Sequence, residues 1–378
     1  MDYYSLDSQM ENITNLDDFL SLWELLNEYN SSDEDYYDSG EVCDLNEGMT
    51  FKAVFIPILY SLAFVVGILG NGVLLAVLFQ SRKTRSVTDT FILHLALADI
   101  LLLMTLPFWT VQYTRPGGWA FGTPHCKITG SVFTMNFYCG IFLLACISLD
   151  RYLSIVHATQ MYSRRKSWMV QVSCLLVWLL SLLLSIPDWY FLEALHDERR
   201  DRIECVQNYF RHGEQVASAL RLTSRLIYHI LGFLLPSAVL VFCYSSILHK
   251  LSCRTQGVQK QKAFRVIVAV VVVFFISWTP YNIALMVDTL YSNDTIDACA
   301  VGLSLDKALT VTASIGYLHC SLNPILYAFV GVKFRRQLID VLRSLSCKLK
   351  SGARLHSSVS RRSSAWSESA DTSNSIAI

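Results

Sequence analysis

Long apolar stretches alternate with short polar ones along the chain, at a spacing that suits a lipid bilayer better than a soluble core. A hydrocarbon layer about 30 Å thick needs roughly 20 mostly apolar residues per helix. Seven stretches meet that length: 54–79, 90–111, 124–156, 168–187, 217–248, 264–290 and 308–330. The third, fifth and sixth exceed it, which predicts tilt or extension into water. Pro57, Pro107, Pro187, Pro236, Pro280 and Pro324 fall in these stretches. Lipid-embedded helices tolerate proline because neighbours re-satisfy the freed carbonyl, so each predicts a kink. The expected fold class is an all-α membrane protein, a seven-transmembrane helix bundle over 53–331 with a short amphipathic eighth helix over 332–347. In that last segment Phe334, Leu338, Val341, Leu342 and Leu345 recur at helical spacing beside Lys333, Arg335, Arg336 and Arg343. This pattern predicts a helix lying on anionic lipid.

Composition sharpens the picture. Hydrophobic residues make up 53% of the chain and charged residues 16%, against about 25% charged in an average soluble protein. The zero net charge excludes a polycationic nucleic-acid binder, yet it hides a strong asymmetry. Residues 1–50 hold 14 Asp and Glu and no Lys or Arg, so all 31 basic residues lie in the rest of the chain. An acidic segment of this kind cannot bury enough apolar surface to fold alone, so 1–52 is expected to be a disordered tail. Short loops carrying Arg82, Lys83 and Arg85, then Arg164, Arg165 and Lys166, then Lys250, Arg254, Lys260 and Lys262, share a side with Lys333, Arg335 and Arg336. The positive-inside rule makes that side cytosolic. The acidic tail is then on the outer side of a multi-pass membrane protein. Arg199, Arg200 and Arg202 fall on the outer side against the rule, offset locally by Asp197, Glu198, Asp201 and Glu204. Nothing near Met1 resembles a signal peptide, so the first span is expected to act as its own insertion signal.

Other classes are disfavoured. A transporter built from two halves would show an internal repeat, and an odd helix count argues against it too. An intramembrane hydrolase would need paired catalytic acids or a histidine-rich metal site, whereas His94, His229 and His319 are scattered. No catalytic residue and no metal site are expected. On the outer side, Cys43, Cys126, Cys205 and Cys299 are able to oxidise, and four cysteines allow three pairings. A Cys126–Cys205 bond would pin the longest outer loop to the start of the third span, leaving Cys43 and Cys299 to tie the tail to the last outer loop. Asn12, Asn30 and Asn293 head N-x-Ser/Thr glycosylation sequons, all on the outer side. Inside the second span stands Asp99. An ionisable residue there costs at least about 2.5 kcal/mol and points to function. Asn71, Asn136 and Asn323 are positioned to face it and complete a polar core for water or a cation.

These residues resemble a family. Asp150-Arg151-Tyr152 closes the third span, Trp278-Thr279-Pro280-Tyr281 sits in the sixth, and Asn323-Pro324-Ile325-Leu326-Tyr327 in the seventh. With Asn71, Asp99, Trp178, Pro236 and Tyr244, they look like the anchors of rhodopsin-like G-protein-coupled receptors, in order along nearly the whole chain. Thr105-Leu106-Pro107-Phe108-Trp109, the run from Asp150 to Ala158 and the second outer cysteine pair resemble chemokine receptors. His196 to Arg199, His319 to Arg335 and Arg361 to Glu368 are similar to the CXC type. The resemblance implies a cell-surface receptor for CXC chemokines that activates heterotrimeric G proteins, of the inhibitory type, and signals for chemotaxis. The alternative within it is a scavenger that internalises chemokine without G-protein signalling, against which the intact Asp150–Tyr152 and Asn323–Tyr327 motifs argue.

The resemblance also implies roles. Arg151 would lock the inactive state and then meet the G protein. Tyr244 and Tyr327 would rearrange near it, and Trp278 above the Pro280 kink would couple ligand to helix movement. Acid-flanked Tyr36 and Tyr37 resemble sulfation sites that capture a basic ligand electrostatically. Asp188, Asp288 and Asp306, at outer span ends with Tyr60 and Trp109 as aromatic walls, are expected to form an acidic mouth for the ligand's leading segment. No cofactor is expected except a sodium ion beside Asp99, Asn136 and Asn71. Gly140, standing where many relatives have serine, departs from that pocket. At the cytosolic end, Cys347 is a candidate for palmitoylation. The serine-rich stretch 348–378 is expected to stay disordered and, once phosphorylated by receptor kinases, to bind arrestin.

Overall fold

A computed structural model describes residues 45–80, 85–156, 167–198, 200–210, 213–252, 258–291 and 298–330, with Ile339 and Arg343. They belong to one of the two units into which the chain divides, Leu45–Ile378; the other is Met1–Asp44. The helices are α1 (Leu45–Gln80), α2 (Val87–Leu103), α3 (Leu106–Thr114), α4 (Gly122–Ile155), α5 (Ser167–Leu184) and α6 (Ile186–Phe191). After a hairpin of β1 (Leu192–Asp197) and β2 (Arg202–Gln207) follow α7 (Glu214–His229), α8 (Leu235–Ser252), α9 (Val258–Tyr291) and α10 (Ala298–Val330). Six rods are long and apolar enough to cross a membrane: Met49–Gln80, Val87–Thr114, Gly122–Ile155, Trp168–Phe191, Val216–Lys250 and Ile267–Leu290. The seventh, α10, packs against α9 and α1. Its buried side carries Ser314, His319, Ser321 and Asn323, a polarity that only neighbouring helices can accommodate.

Which face of a helix turns inward follows residue size and polarity rather than a simple apolar stripe. On α1, Val54, Ile58, Leu62, Val65, Leu69 and Val73 form one exposed face, while Ile56, Tyr60, Ala63, Asn71, Leu74 and Leu78 are buried. Gly67 lies on that inner face, where an added Cβ would stand 2.6 Å from Leu103 Cδ1 and 2.8 Å from Ser321 Oγ. Small residues let membrane helices approach this closely. The second span begins at a capping box that the pattern of spans did not reveal. Ser86 Oγ accepts from the Asp89 amide at 3.2 Å, and Asp89 Oδ2 accepts from the Ser86 amide at 2.9 Å.

The six prolines do not behave alike. Pro57, Pro280 and Pro324 lie inside unbroken helices. Pro107 and Pro187 instead open the new segments α3 and α6, at the helix-start position where a missing N–H costs nothing. Pro236 follows a π-helical turn over Ile230–Leu234, a widening that accommodates the lost hydrogen bond. That turn presses Gly232 inward, where a Cβ would stand 2.6 Å from Tyr138 Cε1 and 2.8 Å from Phe137 Cε1.

The longest outer loop, expected only as a loop, is an antiparallel hairpin with Ala194 opposite Cys205 and Leu192 opposite Gln207. Several contacts hold it over the bundle. Cys205 is disulfide-bonded to Cys126 with Cα atoms 5.5 Å apart, as expected. Gln112 takes the Cys205 amide on its side-chain oxygen at 3.2 Å and the Arg202 guanidinium on its carbonyl. Trp119 N–H donates to Ile203 O at 2.8 Å, and Ile203 N–H to Gly117 O at 3.2 Å. Between these bonds Gly118 has φ +71°, and a Cβ there would run into the Ile203 carbonyl oxygen. The local charge balance also holds: Arg200 pairs with Asp197 (3.8 Å) and Glu204 (3.3 Å), and Arg202 with Glu204 (3.2 Å). Arg199 is outside the described residues, as are Tyr36, Tyr37, Cys43, the sequons at Asn12, Asn30 and Asn293, Cys347 and the 348–378 tail. With Cys43 outside them the Cys43–Cys299 pair is not described, and all of 332–347 except Ile339 and Arg343 falls outside as well.

Candidate functional site: an outer cavity above a buried polar centre

Beneath the hairpin a cavity of about 340 Å³ opens among the outer helix ends. Tyr60, Trp109 and Tyr113 form one wall, Phe133, Tyr281 and Tyr317 the floor, and Val206, Gln207 and Tyr209 the roof. Two of its lining residues are charged, Asp188 and Arg225. The Asp188 carboxylate accepts from Gln207 Nε2 of the hairpin. Tyr209, packed on Phe191 with ring centroids 4.4 Å apart, has its hydroxyl pKa pushed above the ordinary range by burial and then by the Asp188 charge. It therefore stays a neutral donor at any physiological pH.

Tyr60, Trp109 and Asp188 thus line the cavity as expected from sequence, but the three carboxylates do not converge. Asp288 is held by Arg221 at 2.8 Å and Arg225 at 3.0 Å. Asp306 is held by Lys52 at 2.6 Å, which ties the seventh span to the first. The physical reason is burial. Asp288 is 20% exposed and the Lys52 side chain 7%, and charges so withdrawn from water take partners. The mouth is therefore a mosaic of ion pairs with Asp188 and Arg225 facing inward. Sequence reading missed Lys52, Arg221, Arg225, Gln207, Tyr281 and Tyr317; clustered arginines on the outer half of the fifth span were the available signal.

The cavity floor rests on a column of rings. Phe133 packs against Tyr317 (4.8 Å between centroids), Tyr281 (5.7 Å) and Trp278 (5.4 Å). Trp278 is fully buried, contacts Phe137 at 4.8 Å, and reaches Phe274 at 6.1 Å. Pro280 lies two residues further along α9, outward of Trp278 instead of beneath it as the resemblance implied. One turn further in, Phe274 meets His319 edge to face at 5.4 Å.

Below that column sits the polar centre. Asp99 accepts from Asn136 Nδ2 at 3.2 Å and from Asn323 Nδ2 at 2.8 Å, joining the second, third and seventh spans. Asn71, expected beside it, instead donates to the carbonyls of Gly67 (3.0 Å) and Cys320 (2.9 Å), clamping α1 to α10 next to Pro324. The groups gathered around Asp99 mix its carboxylate and the Asn136 and Asn323 side-chain amides with nitrogen and sulfur donors. Gly140 offers no hydroxyl although its position has room, the nearest atoms to an added Cβ being Phe274 Cε2 at 3.5 Å and Leu95 Cδ1 at 3.9 Å. The His319 imidazole and the Cys320 thiol stand beside Asp99.

At the cytosolic end Arg151 donates to Thr88 Oγ1 on α2, with the Asp150 carboxylate 4.0 Å from its Nε. Tyr152 turns away, its ring 5.5 Å from Phe242 of α8. Tyr244 OH accepts from Ser148 Oγ at 3.0 Å, and Tyr327 is buried. Thr88 is a partner for Arg151 that no motif disclosed.

Comparison with known proteins agrees with this arrangement. The family model described as 7 transmembrane receptor (rhodopsin family) matches residues 70–327. C-X-C chemokine receptor type 3 of Rattus norvegicus is 43% identical over 348 residues, covering 92% of each chain. The Homo sapiens protein of the same description is 43% identical over 349 residues, again 92% of each. C-X-C chemokine receptor type 5 of Homo sapiens is 39% identical over 349 residues, 91% of each.

Proposed function

Because the chain belongs to the rhodopsin family of seven-transmembrane receptors, we propose that its outer cavity takes the leading segment of a CXC chemokine and that its cytosolic face then activates a heterotrimeric G protein of the inhibitory type, driving chemotaxis. It is a chemokine receptor of the plasma membrane and not an enzyme. The observation that carries the proposal is the unbroken ring packing from the Asp188 cavity through Phe133 to Trp278 and Phe274 and on to His319, one turn before the Asn323–Tyr327 motif.

A ligand shifts an equilibrium only by binding one conformation better than another. A peptide filling the cavity presses on Phe133 and Tyr281, and so on Trp278, two residues from Pro280 in α9. The inward end of α9 swings about that proline, and the Arg151–Thr88 bond gives way to G-protein contact. By reciprocity, bound G protein raises chemokine affinity by the same factor. The acidic tail, with Tyr36 and Tyr37 sulfated, supplies the first electrostatic encounter. The phosphorylated serine tail recruits arrestin after receptor kinases act.

The test is a panel of CXC chemokines on cells expressing the full chain, read as binding and as G-protein nucleotide exchange, with Arg151→Ala beside it. The proposal expects at least one chemokine that binds both proteins, the variant more weakly by no more than the G-protein coupling factor, and that drives exchange through wild type alone. Chemokine uptake without exchange by wild type would replace it with the scavenging role.

A further inference from the structure

We propose that Asp99, His319 and Cys320 form a binding site for a borderline-soft divalent cation, with Zn²⁺ as its natural probe. One carboxylate oxygen, one imidazole nitrogen and the thiol sulfur lie within 4.8 Å of one another. All three side chains are sealed from solvent, at 0%, 1% and 0% exposure.

The alternative, a plain hydrogen-bond cluster, accounts for part of this centre. Asn136 and Asn323 satisfy Asp99, and the Cys320 thiol donates to Asn136 Oδ1 at 3.8 Å. It leaves His319 unexplained. Neither Nδ1 nor Nε2 of that ring has a hydrogen-bond partner among the described residues, and neither does Asn323 Oδ1. A buried imidazole with two unmet nitrogens costs about 1–3 kcal/mol for each group. A metal ion satisfies one of them outright.

Chemistry favours a particular class of ion. Imidazole and thiolate select zinc-like metals, whereas alkali and alkaline-earth ions prefer oxygen alone. Charge balance points the same way. When the Cys320 S–H releases its proton to solvent and an S–Zn bond forms, the ion's two positive charges meet one carboxylate and one thiolate. The complex is then neutral, as a membrane interior demands. Asn323 Oδ1 is placed to complete the four ligands. Zinc bonds of about 2.0–2.3 Å set tetrahedral donors roughly 3.5 Å apart, so the side chains need to close by about 1 Å. The ligands come from α2 and α10, so an occupied site ties the second span to the seventh beside Asn323-Pro324. An ion held there favours whichever conformation keeps the three donors together.

The experiment uses the full-length receptor in lipid nanodiscs, freed of any affinity tag and equilibrated with chelator-buffered Zn²⁺. Wild type should hold one ion more than His319→Leu or Cys320→Ala, or bind it more tightly by over about 100-fold, a loss that even an outer partner of a metal ligand can cause. Affinity should fall as pH drops, because protons compete for the thiolate. Where a variant fails to fold, Co²⁺ in wild type provides the second reading: a thiolate-to-cobalt charge-transfer band that Cys320→Ser lacks. Equal zinc stoichiometry and affinity in all proteins would overturn the site by placing the ion elsewhere. A cobalt form without the thiolate band, or one that Cys320→Ser retains, would overturn it as well.

Discussion

Replacing Gly118 with alanine tests how the hairpin is held over the cavity. Two costs follow from the structure. A non-glycine residue at φ +71° loses roughly 1–2 kcal/mol. The new Cβ also collides with the Ile203 carbonyl oxygen, so the Trp119 N–H···O Ile203 and Ile203 N–H···O Gly117 bonds must open. At about 1 kcal/mol net for each bond, the total is roughly 3 kcal/mol, or about two orders of magnitude in the local opening equilibrium. The Cys126–Cys205 bond still tethers the strand, so the protein should fold and reach the surface. Hydrogen exchange followed by mass spectrometry should show the Trp119 and Ile203 amides losing protection by about that factor. Chemokine affinity should fall with it, because Val206 and Gln207 roof the cavity. Unchanged protection of both amides would mean that the bonds joining Gly117 and Trp119 to Ile203 do not position the hairpin.

Three further outcomes are expected. Gly232→Leu inserts a side chain where a Cβ alone stands 2.6 Å from Tyr138 Cε1, and should cost about 1–3 kcal/mol of overpacking; a melting temperature equal to wild type in detergent would refute the close contact. Asp188→Asn should lower maximal signalling more than binding, because it removes the one carboxylate facing the cavity, while Asp288→Asn should weaken both by freeing Arg221 and Arg225; matched dose–response and binding curves distinguish the two, and identical behaviour would refute the division. Replacing Tyr36 and Tyr37 together with Phe should slow chemokine association at low salt, with the difference shrinking as ionic strength rises and screening shortens to about 8 Å at physiological salt; normal association at low salt would reduce the acidic segment to a solubilising arm.

Much of this protein follows from sequence alone, because a bilayer turns helix placement into a one-dimensional problem. Where water is absent, every backbone group must be satisfied within the segment, so apolar length alone marks the spans. The short basic loops orient them, and the Asp150–Tyr152, Trp278–Pro280 and Asn323–Tyr327 strings mark the third, sixth and seventh spans. Asp99 stood out for the same reason, since its cost in lipid is independent of its neighbours. Pairing is different, because it depends on which helix faces come together. Lys52 meets Asp306 across 254 residues, Arg221 meets Asp288 across 67, and Arg151 meets Thr88 across 63. No local spacing encodes those partners. Only the packed bundle decided that Asp288 and Asp306 would be neutralised in ion pairs while Asp188 faces the cavity, that Asn71 would clamp α1 to α10 instead of facing Asp99, and that His319, one of the three histidines scattered through the spans, would stand beside a carboxylate and a thiol. In each case the cause is the same: a polar group withdrawn from water takes the nearest chemistry that tertiary packing presents.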